Sequence, residues 1–174
     1  MGNCRPQIPN YVSPDCSIES GRLTGLAFIH KDIHTNIYND PSNATLWVDG
    51  NYAADLHVFQ EVRGSYTATA TEVPGLGSQA NRVINSARVI QAMVQGIKNN
   101  EGFWDNICLS NEYRVAAVVG GAYDLLFINN RDVQIWAFPA VEDGLDTEAL
   151  WNVTINWQEK NNMRTSNVPT GIFN

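Results

Sequence analysis

The chain has 174 residues, a hydrophobic share of 44%, only 17% charged residues and a formal net charge of −7. That size predicts one domain with room for an arm or a long loop. Its 11 Lys and Arg form no cluster, which argues against a general phosphate-binding surface.

Polar uncharged residues fill the place of the missing charges. Asn, Thr, Ser and Gln are plentiful, and charge depletion is a property of interface cores. The three cysteines, Cys4, Cys16 and Cys108, are too few and too irregular for a disulfide framework or a zinc site, and reduced thiols are expected. The start MGNCRPQIPN has no apolar core, so no secretory signal is expected. Pro6 stands where a myristoylation motif wants Ser or Thr. No run approaches the ~20 apolar residues of a membrane span.

In chain order, residues 1–20 hold Pro6, Pro9 and Pro14 and show no periodicity. They predict an extended N-terminal arm, either disordered or docked on a neighbour. Residues 21–160 form the expected domain and 161–174 a polar C-terminal tail. Arg22 to Lys31 is apolar on both faces and reads as a buried strand. Asp49-Gly50 signals a hairpin turn after a strand at Leu46-Trp47-Val48. Leu56, Val58 and Val62 alternate with polar or aromatic neighbours, and Arg63-Gly64-Ser65 reads as a second turn.

In YTATATEV, Thr67, Thr69 and Thr71 take one strand face while Tyr66, Ala68 and Ala70 take the other. Pro74 to Asn81 is a loop. The segment RVINSARVIQAMVQG fits both helix and strand spacing; its β-branched content and low charge favour a long strand. Asn100 is a candidate N-cap, and the pairs Phe103/Ile107 and Trp104/Cys108 predict a short helix. Three strands follow from Tyr113 to Val141. Gly120-Gly121 separates the first two, Asn129 to Asp132 turns the second into the third, and Pro139 ends the third. The stretch WNVTINWQ puts Trp151, Val153, Ile155 and Trp157 on one face and Asn152, Thr154, Asn156 and Gln158 on the other. The sum is a mainly β chain: an antiparallel β-sandwich or barrel of seven to nine strands with one short α-helix.

Candidate chemical motifs are weak. Gly75 to Ala80 spells G-x-G-x-x-A, but no alternating strand and helix surround it, so a loop is the better reading. His30, Asp32 and His34, with His57 further on, lack the shared helical face a metal pair needs. Surface or turn histidines are expected. Glu142, Asp143, Asp146 and Glu148 lack calcium-loop spacing and read as a solvated acidic loop. Cys108 reads as a buried structural thiol. Asn43 and Asn152 match the glycosylation pattern by formula only. Trp47, Trp104, Trp136, Trp151 and Trp157 are expected to be core or interface anchors. No catalytic, cofactor-binding or metal residue is assigned, no cofactor is expected, and the chain is not expected to be an enzyme.

Three stretches in this order resemble a family of virion proteins from tailed bacteriophages, especially crAss-like and other Bacteroidetes phages. They are CSIESGRLTGLAFIHKD, NNEGFWDNICLSNEYRVAAVVGGAYDLLFIN and WNVTINWQEKNNM…VPTGIF, and together they span Cys16 to Phe173. The resemblance implies a tail-tube-like domain that assembles into hexameric or dodecameric rings. These would form part of the DNA-passage channel between portal and tail. Its implied partners are adjacent neck or tail ring proteins, the portal or the tail hub. Genomic DNA would pass without specific binding, and no membrane is involved. The implied location is the virion, after synthesis in the bacterial cytoplasm. A glycan-binding β-sandwich module, using exposed Trp and Asn side chains, and a capsid decoration protein are the alternatives. A hydrolase ranks last.

Overall fold

A computed structural model describes residues 22–48, 55–77, 79–120, 124–141 and 149–173. The N-terminal arm, the Asp49-Gly50 turn and the acidic run from Glu142 to Glu148 lie outside the described residues. The elements in chain order are β1 (Arg22–His30), α1 (Lys31–Asn39), α2 (Thr45–Val48), β2 (Leu56–Phe59), β3 (Arg63–Val73) and β4 (Arg82–Val94). Then come α3 (Glu101–Leu109), β5 (Tyr113–Gly120), β6 (Leu125–Ile128), β7 (Gln134–Ala140), β8 (Leu150–Gln158) and β9 (Arg164–Asn167).

The nine strands belong to one hydrogen-bonded sheet in the order β7-β8-β4-β3-β1-β5-β6-β9, with β2 also paired to β1. Every pairing is antiparallel. The mainly antiparallel β architecture thus agrees with the sequence pattern, but the strands do not divide into two separate sheets. The sheet is open, with β7 and β9 at its ends.

β1 explains how one sheet makes two cores. Its apolar residues occupy both faces, as its two-sided sequence requires. Leu26 and Phe28 join a core with Val115 and Ala117 of β5, Ile90 and Ala92 of β4, Val153 and Ile155 of β8, and Trp104 of α3. Ala27 and Ile29 point the other way, into a second core with Ile33 and Ile37 of α1, Trp47 of α2, Ala116, Leu126 and Ile172. Both halves of the sheet therefore feed the first core, and the helical layer α1–α2 seals the reverse face of β1-β5-β6.

One edge of β1 is shared. β2 pairs with Leu26 to Ile29, and β3 touches it only at Leu23↔Gly64 before leaving to pair with β4. At the switch, Val62 donates its N–H to the Thr24 carbonyl at 3.0 Å. Glu61, beside it, takes a positive φ of 57°. Arg63-Gly64-Ser65 is accordingly not a turn: it opens β3. Gly64 is required by the crossing, since a Cβ there would lie 2.3 Å from the Gln91 carbonyl oxygen.

Other local readings need correction. Leu46-Trp47-Val48 is part of the short helix α2 rather than a strand; the Trp47 indole donates to the Pro41 carbonyl at 2.9 Å and anchors it. Lys31–Asn39 is a helix, so there are three helices among the described residues rather than the one expected. Its Ile33 and Ile37 are spaced i,i+4 and both are buried. Pro139 does not end its strand: β7 continues to Ala140, and an edge strand tolerates the missing donor. The polar C-terminal segment is built into the fold through β9, paired to β6, and through buried Ile172. The long strand β4, the short helix α3 and the two-faced strand β8 appear as the pattern predicts.

Candidate functional surface

The outer face of β7-β8-β4-β3 carries the polar side chains of WNVTINWQ. Its inner face is fixed by Trp151, Val153, Ile155 and Trp157, all buried, so the alternation turns Asn152, Thr154, Asn156 and Gln158 outward. Register then decides their neighbours. Thr154 lies between Trp136 on β7 and Gln91 on β4, and Gln91 in turn faces Ser65 on β3. One row up, Asn152 lies between Phe138 and Met93, with Arg63 beyond. One row down, Asn156 lies between Gln134 and Val89, with Thr67 beyond. The three rows hold one charge, the Arg63 guanidinium at a corner.

Two aromatic side chains on this face meet solvent: Trp136 is 44% exposed and Phe138 65%. The other four tryptophans are buried. Trp104 packs edge-on to Phe28 with ring centroids 6.2 Å apart, and lies 5.8 Å from Trp151, in the heart of the first core. The expectation that tryptophans are anchors thus divides: four build the interior, and Trp136 stands outside it. The signal was present in QIWAF, where aromatic Trp136 and Phe138 share the parity of Gln134 while Ile135 and Ala137 take the core parity. A depression of about 420 Å³ opens on this face, bordered by Arg63, Ser65, Gln91, Met93, Asn152 and Thr154, with Trp136 outside its lining. The side-chain amides of Gln91, Gln134, Asn152 and Asn156 make no hydrogen bond within the described residues.

The second exposed feature is a ribbon. β8 accompanies β4 only from Ala87 to Val94, and a last backbone pair joins Ser86 to Glu159. Beyond it, Thr71 to Val73 and Arg82 to Asn85 run on as two strands with no third among the described residues. Val83 and Ile84 are each 49% exposed, and Leu76 at the tip is almost bare. The G-x-G-x-x-A stretch forms this tip, between two antiparallel strands. No helix follows it to receive a phosphate.

The histidines are dispersed. His34 is fully buried, against the expectation of a surface or turn residue, because α1 carries it inward between Ile33 and Ile37. Its Nε2 donates to the Asn129 carbonyl at 2.7 Å, and its Nδ1 accepts from Arg114 Nη1 at 2.9 Å. Burial holds its pKa down at about 4; the Asn129 bond opposes this and the Arg114 charge adds to it. His30 caps α1, accepting from the Asp32 N–H at 3.4 Å. His57 packs edge-on against Phe103, ring centroids 4.9 Å apart. Among the described residues no three His, Cys, Asp or Glu side chains gather as a metal site would require. Cys108 is partly buried on α3, and burial raises its thiol pKa.

No described helix is long and apolar enough to cross a membrane. No protein-family model, curated protein or solved structure matches the chain.

Proposed function

We propose that the chain is a structural virion protein, a subunit of a ring or tube in the neck or tail of a tailed bacteriophage. The observation that carries this reading is the β3–β4 ribbon. A two-stranded ribbon with apolar residues on its surface is marginal in water by itself, and Val83, Ile84 and Leu76 ask for cover that the described residues do not provide. A neighbouring subunit supplies it. In a head-to-tail assembly the same protrusion on each copy meets the same recess on the next, and the contact closes by rotation into a ring.

The chemistry of the surface supports the channel role. A net charge of −7 with few cations repels phosphate, so DNA passes such a wall without being held. A tail-tube-like domain is the reading we give to this mainly antiparallel sheet, both of whose halves contribute to one core. The family resemblance of the three sequence stretches adds the hexameric or dodecameric ring, the portal or tail-hub partners and the virion location.

Native mass spectrometry of the purified full chain, with cryo-electron microscopy of virions, tests the proposal. Closed rings in solution or density for the fold in the neck or tail support it. A stable monomer that is absent from particles overturns it.

A further inference from the structure

We infer that the outer face of β7-β8-β4-β3 is a binding face for a neutral polysaccharide, with the Trp136 indole as its platform. This goes beyond the ring reading, and it stands on different residues from the ribbon.

The face supplies the chemistry a sugar chain needs. A pyranose offers apolar C–H surface on its flat sides and hydroxyls around its rim. Trp136 and Phe138 offer exposed aromatic surface to the former. The amides of Gln91, Gln134, Asn152 and Asn156 each hold both donor and acceptor, which suits hydroxyl groups that are themselves both. These amides have no partner among the described residues, so binding breaks no internal bond. The depression of about 420 Å³ beside Gln91, Asn152 and Thr154 gives the face relief. Few convergent polar groups beside aromatic surface is the usual make-up of a small-ligand site.

Charge selects the kind of polymer. Three rows of side chains carry only the Arg63 cation, and the whole chain is acidic. An anionic polysaccharide or a nucleic acid finds repulsion and little to grip.

Size argues against a second copy as occupant. Four strands at about 4.8 Å spacing and three rows about 7 Å apart make a patch of about 19 by 21 Å. That is about 400 Å², about half of the roughly 800 Å² per partner of a stable protein interface. The exposed aromatic rings stand on the edge strand β7, and Met93 is the exposed apolar side chain of β4 on this face.

The test uses the full chain and four neutral probes: laminarin, xylan, mannan and chitooligosaccharides, with polygalacturonate and single-stranded DNA as charged controls. Tryptophan fluorescence and calorimetry read binding. The expected result is saturable binding of at least one neutral probe and none of the charged ones. Affinity should fall about tenfold in Trp136→Ala, the loss of one aromatic platform, and should also fall in Asn152→Ala. Circular dichroism melts of both variants establish folding; a double variant Gln91→Ala/Asn156→Ala, exposed at the first position and half-buried at the second, provides a second reading. Binding of none of the four neutral probes overturns the inference. So does equal affinity in the folded variants, or burial of Trp136 against another copy in the assembled ring. Ring formation, measured in parallel for the parent chain and for Trp136→Ala, keeps the two readings apart: a parent ring that binds no neutral probe rejects only this one, and a Trp136→Ala ring with weakened sugar binding supports it.

Discussion

Arg114 donates to Nδ1 of His34 across 2.9 Å, and this contact fixes the imidazole in its neutral form with the proton on Nε2. That proton is given to the Asn129 carbonyl at 2.7 Å. The bond ties α1 to the end of β6, while Asn129 accepts from the Val115 N–H through its own side chain. Three elements thus converge on a single uncharged ring.

The pairing carries a pH signature. His34 has a folded pKa of about 4, below its ordinary value of 6.5, so the unfolded chain binds the proton more readily. Stability from this group is therefore complete above about pH 6.5 and drains away as pH falls toward 4, by about 3 kcal/mol in all. Urea unfolding at a series of pH values should show that loss. His34→Gln should be less stable at neutral pH and should flatten the slope in this window. An unchanged slope contradicts the assignment.

Gly64 should resist every substitution. Alanine there drives a Cβ to 2.3 Å from the Gln91 carbonyl oxygen, where backbone and not a soft side chain must move. Gly64→Ala is expected to cost about 3 kcal/mol or more in chemical denaturation. Gly102, whose Cβ would meet nothing within 4 Å, provides the contrast: Gly102→Ala, inside α3, should stabilise by about 0.5–1 kcal/mol.

Trp104 is the keystone of the aromatic interior, touching Phe28, Phe59, Phe103 and Trp151. Trp104→Ala should lose about 3–5 kcal/mol. Trp136→Ala should cost less, about 1–2 kcal/mol, since its ring is nearly half in solvent. Thermal melts of the two variants side by side check the division between interior and surface tryptophans.

The ribbon gives a test that separates folding from assembly. Val83→Ser with Ile84→Ser alters exposed positions and should leave the subunit within about 0.5 kcal/mol of the parent. On the ring reading the same change should shift the oligomer toward monomers. Native mass spectrometry reads the population directly, and undiminished rings would show that the ribbon is not the contact.

Much of the sheet was legible because its alternation is strict. Trp151 to Gln158 could be assigned to two faces from sequence, and the faces are as assigned. The helix at Glu101–Leu109 was equally clear, from its paired i,i+4 aromatics and aliphatics. Lys31–Asn39 was lost because only two residues of its apolar stripe, Ile33 and Ile37, are hydrocarbon, and the third buried position is a histidine. Gly64 misled for a physical reason: a glycine flanked by Arg and Ser spells a turn locally, whereas its cause lies 27 residues on, in the carbonyl of Gln91. The candidate binding face was half visible. Its amides were evident in β8, but the pairing that brings Trp136 and Gln91 to either side of Thr154 is a long-range register that no local pattern encodes.

The register between β4 and β8 also sets the order of events on the ribosome. Ala87 to Val94 must wait for Trp151 to Gln158, and β6 must wait for Arg164 to Asn167. The β1-β5 pairing is complete once Gly120 has emerged, so that half of the sheet is ready early. Throughout the interval, β4 offers an unclaimed hydrogen-bonding edge to every other nascent chain nearby. Crowded synthesis therefore meets an aggregation hazard until β8 and β9 have emerged, and those strands are the ones that relieve it.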